Sequence, residues 1–239
     1  MLRGLIAEIG NHHFGDLAKA KELIRASKDA GADFAKMQAI DPLEFTGGSM
    51  VPEFYETCDL GLSGYQECVN YGDEIGIVVF FSVFGSKYTG LRALRPGRPT
   101  KISGNQFLTA PNDVLIGWNE QTICPIIASM PKDALGQLDR DRMAAITKMN
   151  LMYVSPYMAG NPNLEMIERF SDILGKPIGY SDHTPGVTAC RLAIEHFGCL
   201  LVEKHFNLYS VQSFRGQVYR DSLHAADAVQ LQKIAKLLT

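Results

Sequence analysis

Ser181 and His183 stand two apart in GYSDHTPG, and Glu203 and His205 stand two apart in VEKHF. Side chains two apart on a strand share a face. Ser181 and His183 should therefore point one way with Asp182 opposite, and Glu203 and His205 should pair with Lys204 opposite. Two imidazoles in register on neighbouring strands could hold one divalent metal. A lone histidine is more often a hydrogen-bonded structural residue than a ligand, and the pair leaves both readings open. Asp182 and Lys204, facing outward together, read as a structural ion pair. Other strand ends carry Glu8, Lys36 with Gln38, Ser82, Lys101 with Ser103, Ser129, and Ser155 with Tyr157. Lys36, flanked by Phe34 and Met37, is out of place in an apolar run unless an anion lies nearby. Lys36 and Lys101 together suggest an anionic substrate, since ammonium groups serve phosphate and carboxylate as point charges. An anion, a metal and several hydroxyl donors suit a phosphorylated carboxylic acid.

These groups need an element order that brings many strand ends together. Short apolar runs alternate with helical periodicity along the chain. The runs are Leu5–Ile9, Asp33–Met37, Ile77–Phe81, Thr100–Ser103, Ile123–Ala128, Leu151–Val154, Ile178–Tyr180 and Leu200–Val202. Asp16 caps a helix that closes at Gly31. Met143, Ile146 and Met149 share a helix face. Asn163 is expected to cap a helix closed by Gly175, a further helix runs from Pro185 to Phe197, and Ser222 is expected to cap the last one. Continuous apolar strands between helices imply a parallel sheet covered on both faces. Eight such units in 239 residues fit an α/β fold, a (β/α)8 TIM barrel, as one domain over 1–239. An open doubly wound sheet usually places a G-x-G-x-x-G turn after its first strand, and EIGNHHFGD is not one. A TIM barrel keeps its chemistry at the C-terminal strand ends, where the polar groups above fall.

Composition removes several function classes. The chain is 46% hydrophobic and 21% charged, with a formal net charge of −3. No long Lys/Arg block favours nucleic acid or an anionic membrane. No apolar run of about 18 residues reads as a membrane span, and MLRGLIAEIG does not read as a signal peptide. The five cysteines (Cys58, Cys68, Cys124, Cys190, Cys199) lack C-x-x-C spacing and read as buried reduced thiols, which fits a cytoplasmic protein.

Seven segments in order resemble the sialic acid (N-acetylneuraminate) synthase family. AEIGNHHFGD is similar to A-E-I-G-x-N-H-x-G-D, GADFAKMQ to G-A-D-x-x-K-x-Q, and FFSVF to a strand-three S-[ST]-x-F. KIS matches a K-I-x-S strand and YVSPY a C-x-[SN]-x-Y strand. GYSDHTPG resembles G-[YL]-S-D-H-T-x-G, and VEKHF resembles x-E-[KR]-H-F. The resemblance implies condensation of phosphoenolpyruvate with an acyl-amino sugar such as N-acetylmannosamine. It implies a divalent metal, typically Mn²⁺, on His183 and His205. Lys36, Ser82, Lys101, Ser155 and Ser181 then fall at phosphoenolpyruvate positions, with Ser103 beside Lys101. Glu8 falls near the reacting carbons, and Gln38 and Tyr157 at further pocket positions.

Some positions depart from that pattern. His12 stands where the family has Asn, and Met158 replaces a proline. Gly104 and Gln106 occupy a segment that usually supplies a serine and an acid. The P-D-H-x-x-S-L region reads QVYRDSLHA, leaving Asp221 as its candidate acid. No counterpart of the family's C-terminal antifreeze-like domain is expected before Thr239, which leaves open a piece of a longer protein or a barrel-only relative; an uncovered barrel mouth would favour a partner such as a second copy of the chain. Two other classes stay open. One is a phosphosugar aldolase or lyase using Lys36 or Lys101 as a Schiff base. The other is a non-catalytic barrel that binds a sugar or phosphate.

Overall fold

Strand residues alternate between two environments, one facing the helices and one filling the barrel. A computed structural model describes residues 2–45, 50–93, 97–120, 125–158 and 160–239. Its strands are β1 (Gly4–Gly10), β2 (Phe34–Ile40), β3 (Val78–Phe84), β4 (Thr100–Ile102), β5 (Ile126–Met130), β6 (Asn150–Val154), β7 (Gly179–Asp182) and β8 (Leu201–His205). They pair in chain order, all parallel, and β1 closes on β8. The helices are α1 (Leu17–Asp29), α2 (Pro52–Cys58), α3 (Gly61–Ile75), α4 (Gly104–Thr109), α5 (Asn112–Asn119), α6 (Arg140–Ala145), α7 (Glu165–Leu174), α8 (Thr188–Glu195) and α9 (Ala228–Leu238). This is the (β/α)8 TIM barrel expected from the pattern. A short hairpin, β9 (Ser213–Phe214) with β10 (Gln217–Val218), follows β8. No described helix is long and apolar enough to cross a membrane.

One face of each strand packs outward against helices: Ala7 and Ile9, Ala35 and Met37, Val79 and Phe81, Ala128 and Met130, Leu151 and Tyr153. The other face fills the barrel. Ile6, Phe34, Phe80, Ile127, Met152 and Leu201 form a separate apolar plug at its base. Two residues further along these strands the inward positions turn polar: Glu8, Lys36, Ser82, Ser129 and Glu203, all buried. The plug closes one end to water, so these polar groups face only the other end. Close helix packing needs one glycine in particular. A Cβ on Gly72 of α3 would lie 2.4 Å from Val79 Cγ2 of β3.

Several boundaries differ from expectation. The fifth strand is Ile126–Met130, and Ile123 lies outside the described residues. Asp227 caps α9, not Ser222: its carboxylate accepts from Gln230 N, and the Gln230 side chain returns to the cap N–H. That reciprocal pair outcompetes a serine hydroxyl, and Ser222 instead donates to Tyr219 O at 2.6 Å in a 3₁₀ turn over Arg220–Leu223. Asn163 makes no side-chain cap for α7. It adopts φ +50°, a left-handed conformation that asparagine tolerates. The helix expected from Pro185 starts only at Thr188, because the Asp182 carboxylate takes Thr184 N at 2.9 Å and Gly186 turns to φ +73°. Asp182 and Lys204 do form the outward ion pair, at 2.8 Å with neither side chain exposed. Cys58, Cys68, Cys190 and Cys199 are buried free thiols, and Cys124 lies outside the described residues.

Candidate active site

Above the apolar plug, two lysines and two carboxylates share one buried layer. Lys36 on β2 pairs with Glu8 on β1, donates to Ser82 Oγ at 3.0 Å and lies 3.4 Å from Glu203. Lys101 on β4 pairs with Glu203 on β8 and reaches Ser181 Oγ at 3.4 Å. Ser181 donates to Glu203 at 2.9 Å, and Glu8 also accepts from Gly10 N at 2.7 Å. Strand pairing sets this contact map: Glu8 stands opposite Lys36 and His205, Ser82 opposite Lys101, and Ser181 opposite Glu203.

Charge in this layer is uneven. Burial pushes Glu8 up to about 7 against the pull of Lys36. For Glu203 burial works upward too, but Lys101 and Lys36 outweigh it and hold the carboxyl at about 2. Burial lowers Lys101 to about 8, while Lys36 is raised because Glu203 and Glu8 overcome its desolvation. Near neutrality both ammonium groups and Glu203 are charged and Glu8 is partly protonated. The layer therefore keeps a positive surplus, which favours an anion.

One step nearer the mouth lie His183, His205 and His224. Their ring centroids are 5.2 Å (183–205), 5.3 Å (183–224) and 4.7 Å (205–224) apart. One ligand atom from each lies within 4.8 Å of the others, the metal-capable cluster among the described residues. Small side-chain rotations would bring such nitrogens onto one ion with bonds of about 2 Å. His183 Nδ1 lies 3.2 Å from Ser155 O, and its backbone N–H donates to Ser155 Oγ at 2.9 Å. A carbonyl only accepts, so Nδ1 carries the proton and Nε2 is left as a ligand. His205 Nδ1 is buried without a hydrogen bond, as are both nitrogens of His224. Burial lowers His183 to about 4, His205 well below its ordinary value and His224 to about 2, so all three are neutral at pH 7. Neutral, buried imidazoles, each with a ring nitrogen left free of a well-formed hydrogen bond, fit a divalent ion.

The structure brings Glu8, Lys36, Ser82, Lys101, Ser181, His183 and His205 together, with Ser155 behind His183. A cleft of about 690 Å³ opens above them, lined in part by Gln38, Ser103, Gln106, Tyr157 and Asp221. Gln38 accepts from Asn11 Nδ2 at 3.0 Å, and the half-exposed Tyr157 donates to Arg220 O at 2.8 Å. Ser103 also has a helix-capping role. Its hydroxyl accepts from Gln106 N at 3.3 Å, while Gln106 Oε1 accepts from Ser103 N at 3.0 Å. Gln106 Nε2 further donates to Val83 O at 2.9 Å, so the amide at this departure from the family pattern ties α4 to β3. Asp221, the acid expected to serve the region after β8, lies 3.9 Å from His205 Nδ1 and accepts from Tyr219 OH at 2.8 Å.

Two members were not assigned from sequence. Glu203 shares the spacing of His205, but only the barrel shows it bridging Lys36 and Lys101. His224 sits in a loop with no periodic partner, and nothing in its neighbourhood signals a ligand until the chain folds back.

Comparison with known proteins bears on the family and the fold. The model of the NeuB family matches residues 23–236. An uncharacterised protein of Methanocaldococcus jannaschii is 28% identical over 85% of this chain and 62% of its own length. The pseudaminic acid synthase of Helicobacter pylori is 26% identical over 85% of this chain and 65% of its own length. The match thus spans less than two thirds of either relative. A solved N-acetylneuraminic acid synthetase of Leptospira borgpetersenii superposes with TM-score 0.80 at 21% identity, over 100% of this chain and 83% of that one, which bears on the fold. With a family model matching residues 23–236, from within α1 to within α9, the chain belongs to the NeuB family.

Proposed function

We propose that this barrel condenses phosphoenolpyruvate with an acyl-amino sugar aldehyde, giving a nonulosonate and phosphate. The observation that carries the reading is the buried Lys36–Lys101 pair, with its positive surplus, directly beneath a histidine cluster. The names of the synthases to which the chain is similar support it. Lys36 and Lys101 receive the phosphate and carboxylate charges in a dry site, where such contacts are strong, and Ser82, Ser155 and Ser181 supply neutral hydrogen bonds. Gln38, Ser103 and Tyr157 line the cleft where the sugar enters. His183 and His205 hold a divalent ion. When bound, that ion supplies Lewis-acid polarisation of the aldehyde oxygen. The enol carbon of phosphoenolpyruvate forms the new bond to the aldehyde carbon, water adds at C2, and phosphate leaves with C–O cleavage. Glu8, poised near neutrality and aligned beside Lys36, takes the proton that water loses as it adds at C2 and returns it to the former aldehyde oxygen, which becomes a hydroxyl.

The test is phosphate release from phosphoenolpyruvate across a panel of acyl-amino hexoses with divalent metal. Release should require the sugar and vanish in His183→Ala. No release with any sugar would sink the proposal, and borohydride trapping of a keto-substrate on Lys36 or Lys101 would favour aldolase chemistry instead.

A further inference from the structure

His224 has no task in the chemistry above, yet its position is tightly set. Ala226, two residues on, bridges to Phe206: its N–H donates to His205 O at 2.7 Å and its carbonyl accepts from Asn207 N at 3.0 Å. These bonds pin the returning loop to the end of β8. On its other side the imidazole meets the Tyr157 ring edge-on, with centroids 5.1 Å apart, and Tyr157 OH is itself anchored on Arg220 O. His224 is 1% exposed, and neither ring nitrogen makes a well-formed hydrogen bond, the Arg220 backbone lying only near enough to favour the protonated ring slightly against the effect of burial. An imidazole placed only for packing would be expected to pair at least one of them, since buried polar groups nearly always find a partner. Its ring instead lies 4.7 Å from that of His205 and 5.3 Å from that of His183, completing a triangle.

We propose that His224 is a third protein ligand of the metal, so that the centre is a three-imidazole site that selects borderline ions such as Zn²⁺ or Co²⁺ over Mn²⁺ and Mg²⁺. This rests on reading His183 and His205 as a metal pair, and it does not depend on which substrates the barrel takes. Three neutral nitrogens supply no anionic oxygen, the donor that hard ions prefer, and the Asp221 carboxylate, 3.9 Å from His205 Nδ1, is engaged by Tyr219 OH, whereas imidazole suits the later divalent metals. Three protein ligands also leave a position open for water or a substrate oxygen. They should hold the ion before any substrate arrives. His224 acts here from a loop with no regular spacing to the strand-end histidines, so the ligand set is built by three separate segments.

The experiment uses the full chain, stripped with chelator and then titrated without phosphoenolpyruvate or sugar. Co²⁺ binding is followed by its visible absorption and by Zn²⁺ competition, and Mn²⁺ binding by the resonance signal of the free ion. The variants are His224→Ala, His224→Phe, which keeps an aromatic ring beside Tyr157, and His183→Ala. The control is His196→Ala, in the exposed C-cap of α8. Circular dichroism and urea midpoints establish that each variant is folded. Wild type and His196→Ala should bind one Co²⁺ at least about 100-fold more tightly than Mn²⁺. Both His224 variants should lose about 100-fold in Co²⁺ affinity and lose the wild-type spectrum, with Mn²⁺ affinity changing less than about tenfold. His224→Phe binding Co²⁺ as wild type does, with the same spectrum, would overturn the ligand assignment. Equal Mn²⁺ and Co²⁺ affinities in the wild type would overturn the selectivity. If the metal data hold but the loaded protein releases no phosphate from phosphoenolpyruvate, the synthase reading fails while His224 stands as a ligand.

Discussion

Glu203→Gln tests the buried charge layer most directly. The Glu203 carboxylate is 3% exposed and faces Lys101, Lys36 at 3.4 Å and the Ser181 hydroxyl at 2.9 Å. Glutamine keeps the volume and one acceptor oxygen but removes the charge and turns an N–H₂ toward an ammonium group. At an effective dielectric near 20, each lost charge contact at that distance is worth about 5 kcal/mol before desolvation is counted. Removing the carboxylate also removes its own desolvation cost, which brings the net loss to about 3–5 kcal/mol, the range for breaking a buried pair from one side. A 239-residue chain loses about 2–4 °C of melting temperature per kcal/mol, so the midpoint should fall by roughly 6–20 °C. Added phosphate should then stabilise the variant more than the wild type, because an anion restores the missing charge between Lys36 and Lys101. Urea and thermal melts with and without phosphate read both effects. A variant within about 1 kcal/mol of wild type, with the same phosphate response, would refute the account of Glu203 as the shared counter-charge of Lys36 and Lys101.

Lys204→Met should cost about 3 kcal/mol in urea denaturation. It strands Asp182, though Tyr180 OH, the N–H and hydroxyl of Thr184 and the Cys190 thiol still donate to that carboxylate; unchanged stability would mean that these four donors suffice. Gln106→Glu keeps an acceptor for the Ser103 N–H but replaces the donor to Val83 O with a carboxylate, so a loss of about 1–2 kcal/mol is expected in thermal melts. A wild-type melting curve would show that this tie contributes nothing. Burial pushes the Cys58, Cys68 and Cys199 thiols up to about 12 and Cys190 well above its ordinary value. Raised values favour the protonated thiol in the folded state, so this contribution to stability is complete below the unfolded value of about 9 and is lost only as pH rises past it. At pH 8 a disulfide reagent should therefore leave these four unlabelled until urea is added, and mass-spectrometric detection of rapid native labelling at any of them would contradict their burial.

Two-residue spacing accounts for how much of the site was legible. On a strand, parity alone decides which side chains share a face. Glu8, Lys36, Ser82, Lys101, Ser181, His183 and His205 could thus be placed at one barrel end, and Asp182 with Lys204 on the outside. Where parity does not reach, the reading failed. Ser222 was a plausible cap until the Asp227–Gln230 pair proved better formed. Ser103 and Gln106 form a reciprocal cap whose second purpose, the bond to Val83, depends on where α4 lies against β3.

The sequence by itself determined the architecture and the inward-facing chemistry, because apolar runs, helix stops and residue parity are local properties of the chain. Only the tertiary structure decided which charges meet. Glu203 lies between Lys36 and Lys101 because closure of β1 on β8 carries it across the barrel. His224 lies against His183 and His205 because the Ala226 bonds fold a loop back onto β8. Neither contact follows from local spacing: Lys101 and Glu203 are 102 residues apart in the chain, and strand closure makes them neighbours.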